Sequence, residues 1–158
     1  MEPQDLANSL VVSKLRAWDG HAVPETIVFR NELTLVIPRD RLRAVAEFLR
    51  DDAELRFNLL SDITATDRFP IEPRFDLNYQ LLSLQRKERL RLKVRLGGND
   101  AVAASVVSVW PGANWHEREV WDLFGIRFEG HPDLTRILMP DDWEGHPLRK
   151  DYPTEGYR

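Results

Sequence analysis

Phe75-Asp-Leu-Asn-Tyr-Gln-Leu81 and Leu90-Arg-Leu-Lys-Val-Arg-Leu96 are the two runs on which the fold turns. In each, apolar residues take every second position, the period of an extended chain with one face in a core and the other in water. Phe75, Leu77, Tyr79 and Leu81 share one face of the first run, and Leu90, Leu92, Val94 and Leu96 one face of the second. Working upstream, Phe57 to Thr66 reads as a mostly buried strand. Thr26-Ile-Val-Phe29 and Leu33-Thr-Leu-Val-Ile37, separated by Arg30-Asn31-Glu32, read as a hairpin. Between these lie helical stripes: Leu6, Leu10, Leu15 and Trp18 within Asp5–Trp18, then Leu42, Val45, Ala46 and Leu49 in a segment opened by Pro38 and ending near Asp52. Downstream, Gly97-Gly98-Asn99-Asp100 ends the last strand, and Ala101 to Ala104 is expected to open a short helix. The order predicts an α+β fold, a mixed or antiparallel sheet with helices packed on one face.

The composition changes near residue 110. Trp110 to Arg158 holds ten of the chain's eighteen Gly and Pro residues and four of its five Trp. The expected organisation is therefore an α+β body over 1–109, then over 110–158 a helix and an extended Gly/Pro-rich C-terminal tail. At 158 residues a single apolar core suffices. The chain has no cysteine, so it can form no disulfide, thiolate-held zinc or iron–sulfur site, and no thiol nucleophile. No stretch approaches the roughly 20 apolar residues that span a bilayer, and MEPQDLANSL has the plan of neither a secretory signal nor a transit peptide. The formal net charge is -4, yet residues 86–95 carry Arg86, Lys87, Arg89, Arg91, Lys93 and Arg95 against Glu88 alone. This stripe reads first as a solvated outer sheet face. A dock for an acidic partner comes second. Nucleic acid comes last, because no aromatics are interleaved to stack bases.

Catalytic patterns are weak. His116-Glu117 followed by Val120 fails the zinc-helix spacing, and no nucleophile elbow or phosphate loop is present. Gly130-His131-Pro132 and Gly145-His146-Pro147 have Asp133, Asp141 and Asp142 nearby. Two histidines and an acid could bind a metal, but turns are favoured, since no element in between draws the imidazoles together.

Asn114-Trp-His-Glu-Arg-Glu-Val-Trp-Asp-Leu-Phe-Gly-Ile126 is the most distinctive segment. Asn114 can cap a helix with Glu117 at its third position, and Gly125 suits a left-handed terminator. Glu117, Glu119 and Asp122 beside Trp115, Trp121 and Phe124 allow two readings. One is a general acid/base cluster. The other is a capped helix whose aromatics enter the core and whose acids pair with Arg118, Arg127, Arg136 or Arg149.

Glu117-Arg-Glu-x-Trp-Asp-Leu-Phe-Gly-Ile126, Phe128-Glu-Gly-His-Pro-Asp-Leu-Thr-Arg-Ile-Leu-Met139 and Trp143-Glu-Gly-His-Pro-Leu-Arg-Lys-Asp-Tyr-Pro153 closely resemble the signature of the 30 kDa subunit family of respiratory complex I, the bacterial NADH:quinone oxidoreductase. Leu59-Leu-Ser-Asp-Ile-Thr-Ala-Thr-Asp67 and Arg74-Phe-x-Leu-x-Tyr79 match more loosely. The resemblance implies a non-catalytic subunit of the peripheral arm that binds no cofactor itself. FMN and iron–sulfur clusters belong to other subunits, which carry electrons from NADH to quinone. It implies packing on the 49 kDa quinone-site subunit, no nucleic acid, and a place on the cytoplasmic side of the bacterial inner membrane held only through the complex. Glu117, Arg118, Glu119, Asp122, Gly125, His131, Pro132, Arg136, Arg149, Lys150, Asp151 and Tyr152 would brace the tail or meet the partner. Related membrane-bound hydrogenase or ferredoxin:plastoquinone oxidoreductase complexes carry equivalent subunits.

Overall fold

Strand pairing follows the alternation. The structure, a computed structural model, describes Asp5 and residues 9–157. Its elements run α1 (Leu10–Trp18), β1 (Glu25–Phe29), β2 (Glu32–Val36), a 3-10 turn (Arg39–Arg41), α2 (Leu42–Asp51), β3 (Leu59–Asp67), β4 (Phe75–Ser83), β5 (Glu88–Leu96), β6 (Val102–Ala104), α3 (Ala113–Phe124) and β7 (Arg127–Glu129). Five strands form one sheet in the order β1-β2-β5-β4-β3. All neighbours are antiparallel except β2 and β5, which run parallel, so the sheet is mixed. Arg30 and Asn31 both have positive φ, the two-residue turn whose twist matches a hairpin.

The helices lie on one face. Val11, Val12 and Leu15 of α1 and Leu42, Val45, Ala46 and Leu49 of α2 join Phe75, Leu77, Tyr79, Leu81, Leu90, Leu92, Val94 and Leu96 in one core. Helix α3 packs beside β3 and contributes Ala113 and Val120 to that core. Of the expected first helix, Leu10, Leu15 and Trp18 fall on α1, while Leu6 lies outside the described residues.

Two local expectations are corrected. Residues 101–104 are not helical: Val102–Ala104 is β6, paired in parallel with β7, because the Val102–Ala104 edge meets the chain returning from α3. Nor does Asn114 cap α3. The helix begins at Ala113 after Gly112, and the Ala113 and Asn114 amides donate to the Trp110 and Pro111 carbonyls. The preceding turn satisfies donors that a side-chain cap would otherwise serve, which frees Glu117 to point inward. From Gly130 to Tyr157 the chain has only turns and bends.

Candidate interaction site

The tail is fastened to the body by buried and half-buried groups, and α3 positions most of them. Gly125 ends α3 at φ 75, and a Cβ there would sit 2.6 Å from Arg149 Nη2 and 2.6 Å from His146 Cδ2. The left-handed turn and the close approach both require glycine. Past it, the Leu148 amide donates to the Leu123 carbonyl at 3.0 Å and Arg149 Nε to the Phe124 carbonyl at 2.5 Å. The Arg149 guanidinium also lies 5.5 Å from the Phe75 ring centre.

Asp122 is the hub. Fully buried, its Oδ2 accepts the consecutive amides of Ile137, Leu138 and Met139 at 3.1, 2.7 and 2.9 Å, while Arg136 Nη1 donates to Oδ1 at 2.7 Å. Burial pushes its carboxyl up, but the three amides and the guanidinium pull harder and hold it below the ordinary value. Arg136 Nη2 extends the link to the carbonyls of Trp143 and Gly145 at 2.7 and 3.0 Å. His146 Nδ1 donates to the Asp122 carbonyl at 2.9 Å, and burial lowers that imidazole's pKa.

Glu117 faces the core. Val106 N–H and Ser105 Oγ each donate to its carboxylate at 2.7 Å, and His131 Nε2 stands 4.0 Å away. Burial outweighs the two donors and raises its pKa to about 7. His131 Nδ1 accepts the Asp133 amide at 3.0 Å, so Nε2 carries the proton and donates to the Asn114 carbonyl at 3.1 Å. Thus each Gly-His-Pro segment turns at a positive-φ glycine and pins its imidazole to a different carbonyl of α3.

A second anchor joins the tail to the β3–β4 hairpin. Arg74 Nε and Nη2 clasp Asp67 at 2.8 Å each, and Nη2 also donates to Asp151 at 2.7 Å. The Lys150 amide donates to Asp67 Oδ2 at 2.8 Å. Hydrogen bonding from Arg74 holds Asp67 well below the usual carboxylate range and lowers Asp151 as well.

The expected ion pairing is therefore redistributed. Arg136 pairs with Asp122, but Glu117 has no arginine, because its pocket is closed by Ser105 and the Val106 amide. Arg118 donates to the Thr135 and Arg136 carbonyls at 3.1 and 3.0 Å and lies over Trp115, and Arg127 is exposed. Glu119 is half-buried beside Leu123, Phe124 and Leu148, in no ion pair among the described residues. Pro132 and the Lys150 side chain are exposed, and Tyr152 is half-buried. Trp121 and Phe124 pack on the core, whereas Trp115 is 61% exposed, so only part of the aromatic set enters it. Sequence reasoning misses Asp67, Arg74 and Ser105 as site residues. The first two stand in the looser family match, the one signal that points to them.

This arrangement fixes a tail, and it leaves apolar groups outward. Trp115, Ile137, Leu138, Trp143 and Leu148 are exposed, Leu138 by 56%. Among the described residues no group of three or more His, Asp or Glu side chains is placed to hold a metal, and no helix is long and apolar enough to cross a membrane.

Comparison with known proteins agrees with this picture. The family model described as the respiratory-chain NADH dehydrogenase 30 kDa subunit matches residues 35–158. An NADH-quinone oxidoreductase subunit from Roseiflexus sp. (strain RS-1) is 48% identical over 94% of this chain and 85% of its own length. Its counterpart from Geotalea uraniireducens (strain Rf4) is 45% identical over 94% and 90%. Among solved structures, a trypsin-resistant fragment of Nqo5 superposes with TM-score 0.65 at 34% identity, covering 78% of this chain and 96% of the fragment. A chain of the membrane-bound sulfane sulfur reductase, an archaeal respiratory membrane complex, gives TM-score 0.76 at 28% identity over 91% and 84%. Since the family match takes in α3, the Asp122 hub and both tail anchors, the chain belongs to the 30 kDa subunit family of the respiratory-chain NADH dehydrogenase.

Proposed function

We infer that this chain is a structural subunit of the peripheral arm of NADH:quinone oxidoreductase and carries out no step of the reaction itself. Its kinship with relatives named as NADH-quinone oxidoreductase subunits supports membership of such a complex. With no cysteine it cannot hold a cluster by thiolates, and in this reading FMN and the iron–sulfur clusters belong to the other subunits. The body over 1–109 supports the segment 110–158, whose tail lies on the 49 kDa subunit beside the quinone site. The complex in turn holds the chain at the cytoplasmic side of the inner membrane. In this reading Glu117, Asp122, Gly125, His131 and Arg136 brace the tail. Arg118, Glu119, Pro132 and Arg149–Tyr152 lie at or beside the contact.

The observation that carries the reading is the Asp122 hub. It takes up the Arg136 guanidinium and the amides of residues 137–139, while Ile137 and Leu138 stay exposed. Rigidly held, exposed apolar side chains are what a partner's surface covers. The test is to replace Ile137 and Leu138 together by Asp in the full chain, expressed with its partner subunits, and measure recovery of the 49 kDa subunit. Recovery should fall at least about tenfold while the melting temperature of the chain is unchanged. Undiminished recovery would refute the proposed contact.

The sulfane reductase neighbour favours a second reading, the equivalent subunit of a related membrane oxidoreductase. Oxidation of NADH by the purified complex separates the two: its absence, with another donor accepted, selects the second.

A further inference from the structure

The tail carries an aromatic cup whose backbone the Arg136 guanidinium of the Asp122 hub helps to hold, at Trp143 and Gly145. Trp143, Tyr152 and Tyr157 wall a cup of about 530 Å3 near its end, with Asp142, Glu144 and Glu155 in the lining. The two tyrosine rings meet edge to face, centroids 5.3 Å apart at 83°. Both press on Gly145, which has φ 77, and a Cβ there would lie 2.8 Å from Tyr157 Cε2 and 3.0 Å from Tyr152 Cε2. Gly156, at φ 73, bends the chain so that Tyr157 comes back over Gly145, and its amide closes the turn on the Pro153 carbonyl at 3.0 Å. The wall is thus built, with glycine where the rings need room.

Among the described residues the carboxylates of Asp142, Glu144 and Glu155 take part in no hydrogen bond or ion pair, whereas every acid of the anchors is engaged. Of the described cations nearby, Arg136 is paired with Asp122 and donates to the Trp143 and Gly145 carbonyls behind the wall, Arg149 is bonded to the Phe124 carbonyl over the Phe75 ring, and the Lys150 side chain is exposed. The segment 140–158 carries five acids against Arg149, Lys150 and Arg158, a net charge of -2. Aromatic faces carry negative potential and attract ammonium and guanidinium groups, more strongly when carboxylates stand at the rim.

We propose that this cup receives a cationic side chain, arginine before lysine, from a neighbouring subunit of the complex, an inference that rests on the structural role assigned above. A guanidinium can stack on Trp143 or a tyrosine and still donate to two carboxylates, which an ammonium point charge does less well. A metal ion is disfavoured, because among the described residues the acids do not converge as a ligand set.

Two measurements test it. The full chain is titrated with N-acetyl-arginine amide and with its uncharged isostere N-acetyl-citrulline amide, following the Trp143 indole N–H by NMR. The arginine compound should bind about tenfold more tightly. Asp142→Asn with Glu144→Gln and Glu155→Gln should reduce it to the citrulline level without altering the melting temperature. Equal binding of the two compounds, or shifts that spare Trp143, overturns the proposal. In the assembled complex, Tyr157→p-benzoylphenylalanine is irradiated and the adduct sequenced. Cross-linking to an arginine- or lysine-bearing segment of another subunit is expected. An adduct on a lipid, on a second copy of this chain or on a segment without basic residues overturns the proposal, as does no adduct in an intact complex. If the unsubstituted chain fails to enter the complex at all, the structural-subunit reading falls, and the titration still decides whether the cup takes a cation.

Discussion

The outer face of the sheet and the tail anchor are built from the same residue types and use them in opposite ways. On the sheet, Arg91 meets Glu32 at 2.8 Å, Arg95 meets Glu25 at 2.9 Å and Lys93 meets Asp76 at 3.3 Å, with every one of these basic side chains partly in water. In the anchor, Asp122 and Glu117 are wholly buried and Asp67 nearly so, and their partners are mainly backbone amides. An exposed pair trades one hydrated state for another and gains little. A buried carboxylate with its donors removed, or donors with their carboxylate removed, has no water to fall back on. The basic stripe of residues 86–95 stands out in the sequence, yet it is the anchor's scattered acids that hold the molecule's unusual architecture.

The buried anchor should respond most strongly at Asp122. Asp122→Ala strands three amides and Arg136, so we expect a loss of about 3–5 kcal/mol and early proteolysis within residues 130–157. Thermal unfolding and limited proteolysis check this, and a shift of under about 3 °C would contradict it. Next comes Arg74→Ala, which leaves Asp67 buried with only the Phe69 and Lys150 amides. We expect about 3 kcal/mol, read from denaturant midpoints, with freed cleavage after Lys150. Glu119→Ala serves as control on the same helix. With no ion pair among the described residues, it should cost under about 1 kcal/mol.

The sheet was legible because its signal is local. Alternation at 75–81 and 90–96 is a property of each strand alone, and it predicted which residues enter the core. The β6 strand was not, because three residues have too little pattern to outweigh the helix-forming alanines of 101–104, and their partner, β7, lies beyond α3. The site divides the same way. Gly125 announces itself by spacing, as a glycine one residue past an amphipathic run. The Asp122 nest cannot be read from spacing, since its ligands are amides, which every residue has, and only the folded path of 136–139 aims three of them at one oxygen. Reading Glu117 as needing an arginine failed for the same reason. A hydroxyl and an amide close its pocket, and neither leaves a charge in the sequence.

Glu117 makes the stability of the buried region depend on pH. Its carboxyl titrates near 7 in the folded chain against an ordinary 4.5, because burial penalises the anion. Below pH 4.5 both states hold the proton and the group costs nothing. As pH rises to about 7 the unfolded chain ionises first, so this contribution to stability declines, on the order of 2–3 kcal/mol over the window. Asp67, Asp122 and Asp151, whose values are depressed, act in the opposite sense: their stabilisation is present above the ordinary aspartate range and is lost on acidification below it. Glu117→Gln keeps an acceptor for Val106 and offers a donor to Ser105. Its melting temperature should therefore lack the wild-type decline between pH 4.5 and 7, as differential scanning calorimetry across that range would register. A decline of the same size in the variant would place its origin elsewhere.

The smallest effect belongs to the outer face, and it is the most demanding test of the contrast. Arg91→Ala, Glu32→Ala and the double variant form a cycle around one well-formed 2.8 Å pair. Glu32 is more than half exposed, so water replaces what each partner loses and salt screens what remains. We expect each single change to cost less than about 0.5 kcal/mol, with a coupling of similar size that disappears near 1 M salt. A coupling above about 1.5 kcal/mol that survived high salt would mean that the sheet face is desolvated after all. The distinction between the two regions would then lie in geometry alone and not in access to water.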